Sequence, residues 1–541
     1  MTSRLEKVLF GALVLLYLLP VWSFRFIPTQ DGATHLDTAS VMRQYDDPGR
    51  PELRRYFTRT AALDPYWTVN LLLMALLSVF PPLAAEKIVA TLCVALFPLS
   101  MRYLAASVDR RNAWVSWLAF PFSMGFWFHL GFYNFCLSWA LYAALLGFWL
   151  RRGDEPNVLK KWPLLPLSVL LYFTHPMTSV VFCLSLGVLT AWLTGVDVVS
   201  VRRGALSPAQ AWKNFTARGP ETLIPLSPFL VLLWDFLFKA LHGANLRPPM
   251  PAGESLGLLA GFHNLTTFPG AEPQVMGLAF AGFIALIAGG VLQRRRAGRL
   301  RREDGFLLLL AVLLFLFFRM TPFQIVNKRM TIFLVIAVIA WAASLDYPAA
   351  AKRAAQLGVV LFSILLTAGF AAQYRNWNRQ WEDCVSLAAR LEPGRTLLFF
   401  SLSRLTPTEE DMQVRVSPMR HVGSYIAAEK KLVSLNNYEA NEPFLPLQYR
   451  PEVNPYLYLG MNLDDDEPPV DLRQYPLADY ILVWLANPDN RMRPTVQNLF
   501  AQIQRDYEFV GASPSTRAGL YRKKSGFGEG GTVPAISNGR P

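Results

Sequence analysis

Charge is scarce in this chain. Only 17% of its 541 residues are charged, while 52% are hydrophobic. A soluble domain carries about a quarter charged residues, so this composition excludes an ordinary soluble globular protein. Cysteine is scarcer still. Three of the four, Cys93, Cys136 and Cys183, lie inside apolar runs, and Cys384 stands alone. That spacing excludes a disulfide framework and a cysteine-held metal knuckle. The six histidines never fall in a His-Glu-x-x-His pattern. There is also no phosphate-binding glycine-rich loop, no dinucleotide fingerprint and no nucleophile elbow, so ATP-driven transport and zinc proteolysis have no support.

Long apolar runs are what the chain has instead. They fall at 8–24, 66–80, 88–104, 113–128, 131–150, 162–173, 176–193, 223–241, 274–292, 305–318, 326–345 and 354–372. Runs of this kind read as membrane spans, and the fold class they predict is a polytopic α-helical membrane protein. The net charge of +13 fits this, because the basic residues gather in short loops between runs. That is the cytoplasmic-loop bias, not a nucleic-acid footprint, so no nucleic-acid partner is expected. The first run follows Arg4 and Lys7 but ends in Trp22-Ser23-Phe24, without a small-residue cleavage site, and is expected to stay as an uncleaved span.

The basic loops also give an orientation. The strongest, 293–302, holds Arg294, Arg295, Arg296, Arg299, Arg301 and Arg302 and is placed in the cytoplasm. Counting outward from it puts the N-terminus inside and everything after 372 outside. The count closes only if 66–80 does not cross. That run is short and lies between Pro65 and Pro81-Pro82, which predicts a half-helix and leaves about eleven crossings. All six histidines then fall on the external side. Residues 1–372 form the membrane domain, with a first external loop at 25–65.

Residues 373–524 have ordinary polarity and are expected to form an extracytoplasmic α/β domain. Buried strands are predicted at 396–402 and 480–484, a helix at 495–507, and a final hairpin from 508–511 and 519–523. The tail at 525–541 is rich in Gly, Ser and Pro and is expected to be disordered.

The chemistry concentrates at Pro28-Thr29-Gln30-Asp31-Gly32-Ala33-Thr34-His35-Leu36-Asp37, directly after the first run. Asp31 is a candidate general base or metal ligand, and His35, four residues on, shares its helix face. The plainer reading is that Asp31 or Thr29 caps a helix running through His35. Lys328 and Arg329, with Asn327, are candidates for a lipid phosphate; the alternative is an interfacial anchor. His129, Tyr133 and Asn134 sit in a tight reversal around Gly131. They can line a pocket with Gln30 and Asp37, or form a polar interfacial turn. His175 interrupts an apolar stretch, as a site residue or as a turn at the headgroups.

This layout, with an early aspartate in a long first external loop, about eleven crossings and a C-terminal external α/β domain, resembles the GT-C glycosyltransferases. The likeness is to the protein-mannosyltransferase-like and aminoarabinose-transferase-like branches, and its sequence signature is residues Pro28 to His35. The resemblance implies that Asp31 lies at the catalytic centre and that sugar arrives on a polyprenyl phosphate. The acceptor would be a glycan, lipid or protein outside a bacterial plasma membrane, and transfer would invert the anomeric centre. Many members carry two adjacent acidic residues where this chain has Gln30-Asp31. No metal is therefore assigned, and a divalent ion, if one takes part, would fall to Asp31. The other functions weighed are a transporter of lipid or solute and a non-catalytic scaffold displaying the external domain.

Overall fold

The computed structural model describes residues 3–60, 63–242, 251–260, 265, 267, 271–297, 301–319, 324–402, 416–461, 463 and 469–525. Among them, six helices are long and apolar enough to cross a membrane: Arg4–Ser23, Pro82–Val108, Tyr133–Arg152, Pro176–Arg202, Pro208–Ala240 and Ala349–Arg390. Further apolar helices occupy Leu164–Thr174, Ala271–Ala297, Gly305–Arg319 and Gln324–Ala342. Leu19, Val231, Trp234, Phe315 and Leu365 are all more than half exposed. Large apolar side chains left open on long helices are stable against lipid and not against water. The chain is a polytopic α-helical membrane protein with an α/β region near its C-terminus.

The half-helix is Trp67–Leu76, ten residues long. At 1.5 Å per residue it rises about 15 Å, half of a bilayer core. The run at 113–128 differs from the uninterrupted span expected there. It folds as the 3₁₀ helix Arg110–Phe122 followed by the short helix Phe126–His129. Pro121 removes a backbone donor inside it. Gly125 lies against Leu265, whose carbonyl oxygen would be 2.5 Å from any added Cβ and accepts the Phe126 N–H at 3.2 Å.

By internal packing the chain divides into two units that do not follow chain order. One comprises Met1–Pro20, Ala90–Phe128 and Tyr133–Phe370; the other comprises Val21–Val89, His129–Phe132 and Ala371–Pro541. The second unit holds a five-stranded sheet in the order β3-β2-β5-β7-β6, from Val433–Ser434, Thr396–Leu402, Tyr480–Leu485, Ala518–Lys523 and Tyr507–Ala512. The β2 strand (TLLFFSL) is buried along its whole length and runs parallel to β3 and β5, as a continuous apolar run predicts. The β6–β7 hairpin closes the sheet antiparallel, and the amphipathic helix Pro494–Asp506 precedes it.

A two-stranded ladder, β1 (Phe57–Arg59) with β4 (Leu447–Tyr449), ties the first loop into the same unit. Val41 and Met42, from the Gly32–Gln44 helix, share a core with Leu53, Phe57, Leu398, Phe400, Ile481 and Val483. This packing buries Gly32 through Met42, although the segment (GATHLDTASVM) carries few large apolar side chains. A helix so polar is stable in a core only if its polar groups find partners there. The tail at 526–541 lies outside the described residues.

Candidate active site

Asp31 stands one residue before the Gly32–Gln44 helix, at the N-cap position, but its side chain makes no capping hydrogen bond. The helix therefore begins where the capping reading places it, while the carboxylate is left for other partners. Its neighbours are the Gln30 amide, donating from Nε2 to Asp31 Oδ1 at 3.1 Å, and His421 Nε2, 3.5 Å from the same oxygen. The Tyr438 hydroxyl is a further hydrogen-bonding neighbour.

The loop is held by the 129–132 turn. The Gln30 N–H donates to the His129 carbonyl at 2.9 Å, and the Asp31 N–H to the Leu130 carbonyl at 3.1 Å. Gly131 has φ +85°, and an added Cβ there would lie 2.6 Å from the Gly32 nitrogen and 2.7 Å from the Asp31 nitrogen. Only glycine lets these two segments approach so closely.

His35 lies one turn into the helix. Its Nε2 is 3.0 Å from the Gly131 carbonyl oxygen, and its Nδ1 is 2.5 Å from Glu439 Oε1. Both ring nitrogens face acceptors, which fits a doubly protonated ring. Burial opposes that charge, but the Glu439 carboxylate, with smaller help from Asp31 and the Gly131 carbonyl, outweighs it and raises the His35 pKa. Glu439 sits on the 3₁₀ turn Tyr438–Asn441, which Asn437 caps by accepting from the Ala440 N–H. Asn437 also donates from Nδ2 to Asp37 Oδ2 at 2.9 Å and to Thr38 Oγ1 at 3.1 Å. One amide thus fixes the turn that carries Glu439 against the helix that carries His35.

The electrostatics follow from burial. Asp31 is 4% exposed, and desolvation raises its carboxyl to about 6 against the pull of Gln30, His35 and Arg420. His421 is pushed down to about 3, by burial first and then by the charges of Arg420 and His35, so its ring is neutral at physiological pH. Asp37 rises to about 7, chiefly through burial, with Asn437 and Arg50 opposing and Glu439 adding to it. Among the described residues, the buried atoms Thr34 Oγ1, Asp37 Oδ1, Glu439 Oε2, His421 Nδ1 and Arg420 Nε have no hydrogen-bond partner. Buried polar atoms are nearly always paired, so a group of orphans on the segments around one carboxylate makes these segments the candidate site.

These shifts predict a stability effect. A carboxyl whose folded pKa lies above its unfolded value stabilises the fold at low pH, and that contribution is lost as pH rises through the folded value. Asp37→Asn removes the loss and keeps the bond to Asn437. It is expected to raise the unfolding midpoint at pH 8 by the equivalent of about 1–3 kcal/mol, with the gap closing near pH 4, below the unfolded value. Thermal unfolding of both proteins across that range is the check, and a gap independent of pH would show that Asp37 is not the source.

The other expected site residues are placed as follows. Gln30 bridges two segments, donating to Asp31 and accepting the Ser417 N–H at 3.0 Å. A second acid at position 30 would face Asp31 with like charge and withdraw its donor. The His129 ring contacts the Tyr374 hydroxyl at 3.0 Å, so His129 serves the site through its backbone carbonyl.

Tyr133, Asn134, His175 and Arg329 belong to the other unit. Tyr133 and Asn134 are buried at the start of the Tyr133–Arg152 helix. His175 caps the Pro176–Arg202 helix by accepting the Thr178 N–H, and its ring lies 4.8 Å from that of Phe135. The Arg329 guanidinium stands over the same Phe135 ring at 5.4 Å and over Trp127 at 5.7 Å. Lys328 is half-buried. The side chains of Asn327 and His242, and all of His263, lie outside the described residues.

Sequence reasoning missed Glu439, Tyr438, Asn437 and Arg420, and it noted His421 only for its side of the membrane. It also missed Glu86, a carboxylate only 2% exposed beside Lys87, whose Nζ donates to the Phe24 carbonyl at 2.5 Å. A buried acid near the start of an apolar helix was the signal available for that one. Among the described residues no group of three His, Cys, Asp or Glu is arranged to hold a metal ion.

No protein-family model matches the chain, and no curated protein matches it in sequence. Among solved structures it is similar to the crystal structure of ArnT from Cupriavidus metallidurans in the apo state. The similarity covers 96% of this chain and 98% of that one, at 11% sequence identity and a TM-score of 0.45.

Proposed function

We propose that this protein is an integral-membrane glycosyltransferase of the GT-C type. It moves a sugar from a polyprenyl-phosphate-linked donor to an acceptor hydroxyl outside the membrane, with inversion. One observation carries the reading: Asp31 occupies a helix N-cap position without capping the helix, and its buried carboxylate is turned toward Gln30, Tyr438 and a neutral His421. A carboxylate with a pKa near 6 is matched to general-base work close to neutral pH.

In this mechanism the acceptor oxygen attacks the anomeric carbon while its proton passes to Asp31. The bond from that carbon to the phosphate oxygen breaks, and its electron pair leaves on the polyprenyl phosphate. The His35 imidazolium, neutralised by the Glu439 carboxylate, lies one helical turn away and keeps the Asp31 loop in register through Gly131. His35 is accordingly a positioning residue. The donor phosphate is assigned to Arg329, with Lys328 beside it. The planar guanidinium lies over two aromatic rings, and a guanidinium fork matches phosphate oxygens bidentately. The N-terminus is cytoplasmic and the α/β region extracytoplasmic in this reading.

The test is transfer of labelled sugar from a polyprenyl-phosphate donor in membranes carrying the wild type, Asp31→Asn or Arg329→Ala. Arg329→Ala is expected to raise the KM for donor about 10- to 100-fold, the worth of one lost charge-assisted contact, with Arg329→Lys between it and wild type. Wild-type rates from both Asp31→Asn and Arg329→Ala would end the proposal.

A further inference from the structure

A groove opens on the lipid-facing side of the first unit. Three segments wall it: residues 114–122 of the Arg110–Phe122 helix, 278–286 of the Ala271–Ala297 helix, and 347–362, which lead into and open the Ala349–Arg390 helix. All three belong to that one unit. The groove has a volume of about 500 Å³ and walls that are almost wholly apolar. Leu278 on one wall, and Leu357, Leu361 and Leu365 on the helix of another, are more than half exposed, as side chains that meet lipid are.

Small residues open this space. Ala351, Ala355 and Gly358 fall on one helix face, and Gly282 lies on the neighbouring wall. An added Cβ at Gly282 or at Gly358 meets nothing within 4 Å. A void between apolar walls forfeits dispersion contacts, so in a bilayer a chain fills it. From Ala351 to Phe362 the helix rises about 16 Å at 1.5 Å per residue, close to the hydrocarbon depth of one leaflet.

One end of the groove is aromatic and basic. Trp114 and Tyr347 meet there edge to face, with ring centroids 5.1 Å apart, as aromatic rings do at a bilayer interface. Lys352 Nζ stands over the Trp114 ring at 5.7 Å and makes no hydrogen bond or ion pair among the described residues. Glu6 feels its charge, but that carboxylate is already forked by Arg102, at 2.7 Å to each oxygen, and accepts from the Trp117 indole at 3.0 Å. Asn112 ties two walls together at this end by donating to the Ala343 and Leu345 carbonyls. Asp109 is forked by Arg111, which leaves Arg110, Lys352 and Arg353 against the exposed Asp346.

We propose that this groove binds one anionic phospholipid, with an acyl chain along Ala355 and Gly358 and the headgroup beside Lys352. The apolar walls accept any chain of this length. Charge complementarity selects among them, because a net negative headgroup meets an ammonium without a close counter-ion. In the orientation proposed above this end lies in the cytoplasmic leaflet. Such a site is independent of the sugar-transfer reading.

The test uses the full-length protein in detergent micelles, with phosphatidylglycerol and phosphatidylcholine of identical acyl chains as probes. Retained lipid is counted by native mass spectrometry, and the unfolding midpoint is followed as lipid is added. The wild type is expected to retain one phosphatidylglycerol about 5-fold more tightly than phosphatidylcholine, the worth of one cation at an anionic headgroup. Lys352→Gln should remove most of that preference and leave phosphatidylcholine binding unchanged. Gly358→Leu fills the groove and should weaken both lipids about 10-fold, with loss of the lipid-dependent rise in midpoint. Gly187→Leu makes the same addition on the Pro176–Arg202 helix, where a Cβ also meets nothing within 4 Å, and should bind lipid like the wild type. Equal affinity of the wild type for the two lipids, or retention by Gly358→Leu as strong as by Gly187→Leu, would overturn the proposal. So would displacement of phosphatidylglycerol by a lower concentration of polyprenyl phosphate, if Gly358→Leu abolishes it, since the groove would then hold the donor's chain.

Discussion

Asp31→Asn is expected to lower the rate of sugar transfer by about 10²- to 10⁴-fold, the range for loss of a general base. The substitution keeps the shape of the side chain and an acceptor for the Gln30 amide, so its effect falls on proton transfer and not on packing. It is also expected to make the protein more stable at alkaline pH. The Asp31 carboxyl is raised to about 6 by burial, so its protonated form stabilises the fold at low pH, and that stabilisation is lost as pH rises through about 6. Asparagine does not titrate, and at pH 8 it spares the fold the cost of a buried carboxylate, about 1–3 kcal/mol.

Activity and stability therefore move in opposite directions, which is the signature of a group kept at a stability cost for function. The wild-type pH profile gives an independent reading. Since the base acts deprotonated, kcat/KM should climb with pH through about 6 and then level off. Asp31→Glu, which moves the carboxylate by one methylene, should restore little, because an ångström of misplacement costs about 100-fold. Full activity in Asp31→Asn, or a profile flat from pH 5 to 8, would remove Asp31 from the chemistry.

The sequence made local features legible and long-range partners illegible. TLLFFSL announces a buried strand because its apolar run is continuous, and β2 spans those residues, Thr396–Leu402. Prolines on both sides of a short apolar run, Pro65 before it and Pro81-Pro82 after it, announce a half-helix. The Gly32–Gln44 helix could be placed from Asp31-Gly32 and the residues after it, and His35 on the face of Asp31 from a four-residue step.

The partners of Asp31 and His35 carry no such local mark. Glu439, Tyr438 and His421 lie some four hundred residues downstream, in turns whose composition is unremarkable for an external domain. What brings them to the site is the β1–β4 ladder, Phe57 opposite Tyr449, together with the core shared by Val41, Leu53 and the sheet. Short ladders of three residues have too little periodicity to be read from a chain. The departure at Gln30 looked from the sequence like a missing acid. In the structure its amide uses both ends, on Asp31 and on Ser417, and so fastens the Ser417 segment to the loop.

Gly131→Ala is the substitution expected to damage the site most without touching an ionisable group. The backbone at this position has φ +85°, a region that costs an L-residue about 1–2 kcal/mol. The new methyl would also stand 2.6 Å from the Gly32 nitrogen, 2.7 Å from the Asp31 nitrogen and 3.0 Å from the Asp31 carbonyl carbon. These are backbone atoms, and they have no rotamer by which to yield. Two loop-to-turn hydrogen bonds, Gln30 to His129 and Asp31 to Leu130, and the His35 contact with the Gly131 carbonyl would all have to lengthen together. Strain and weakened hydrogen bonds together predict a loss of about 2–4 kcal/mol in stability, seen as a fall in the unfolding midpoint. Activity should fall by a further 100-fold or so even in the fraction that stays folded, because Asp31 is displaced from its partners. Gly187→Ala is the control. That glycine lies inside the Pro176–Arg202 helix, where an added Cβ meets nothing within 4 Å. Alanine there should leave activity intact and stability unchanged or higher by up to about 1 kcal/mol. If the two variants behave alike, the approach of the 129–132 turn to Asp31 does not hold the site together.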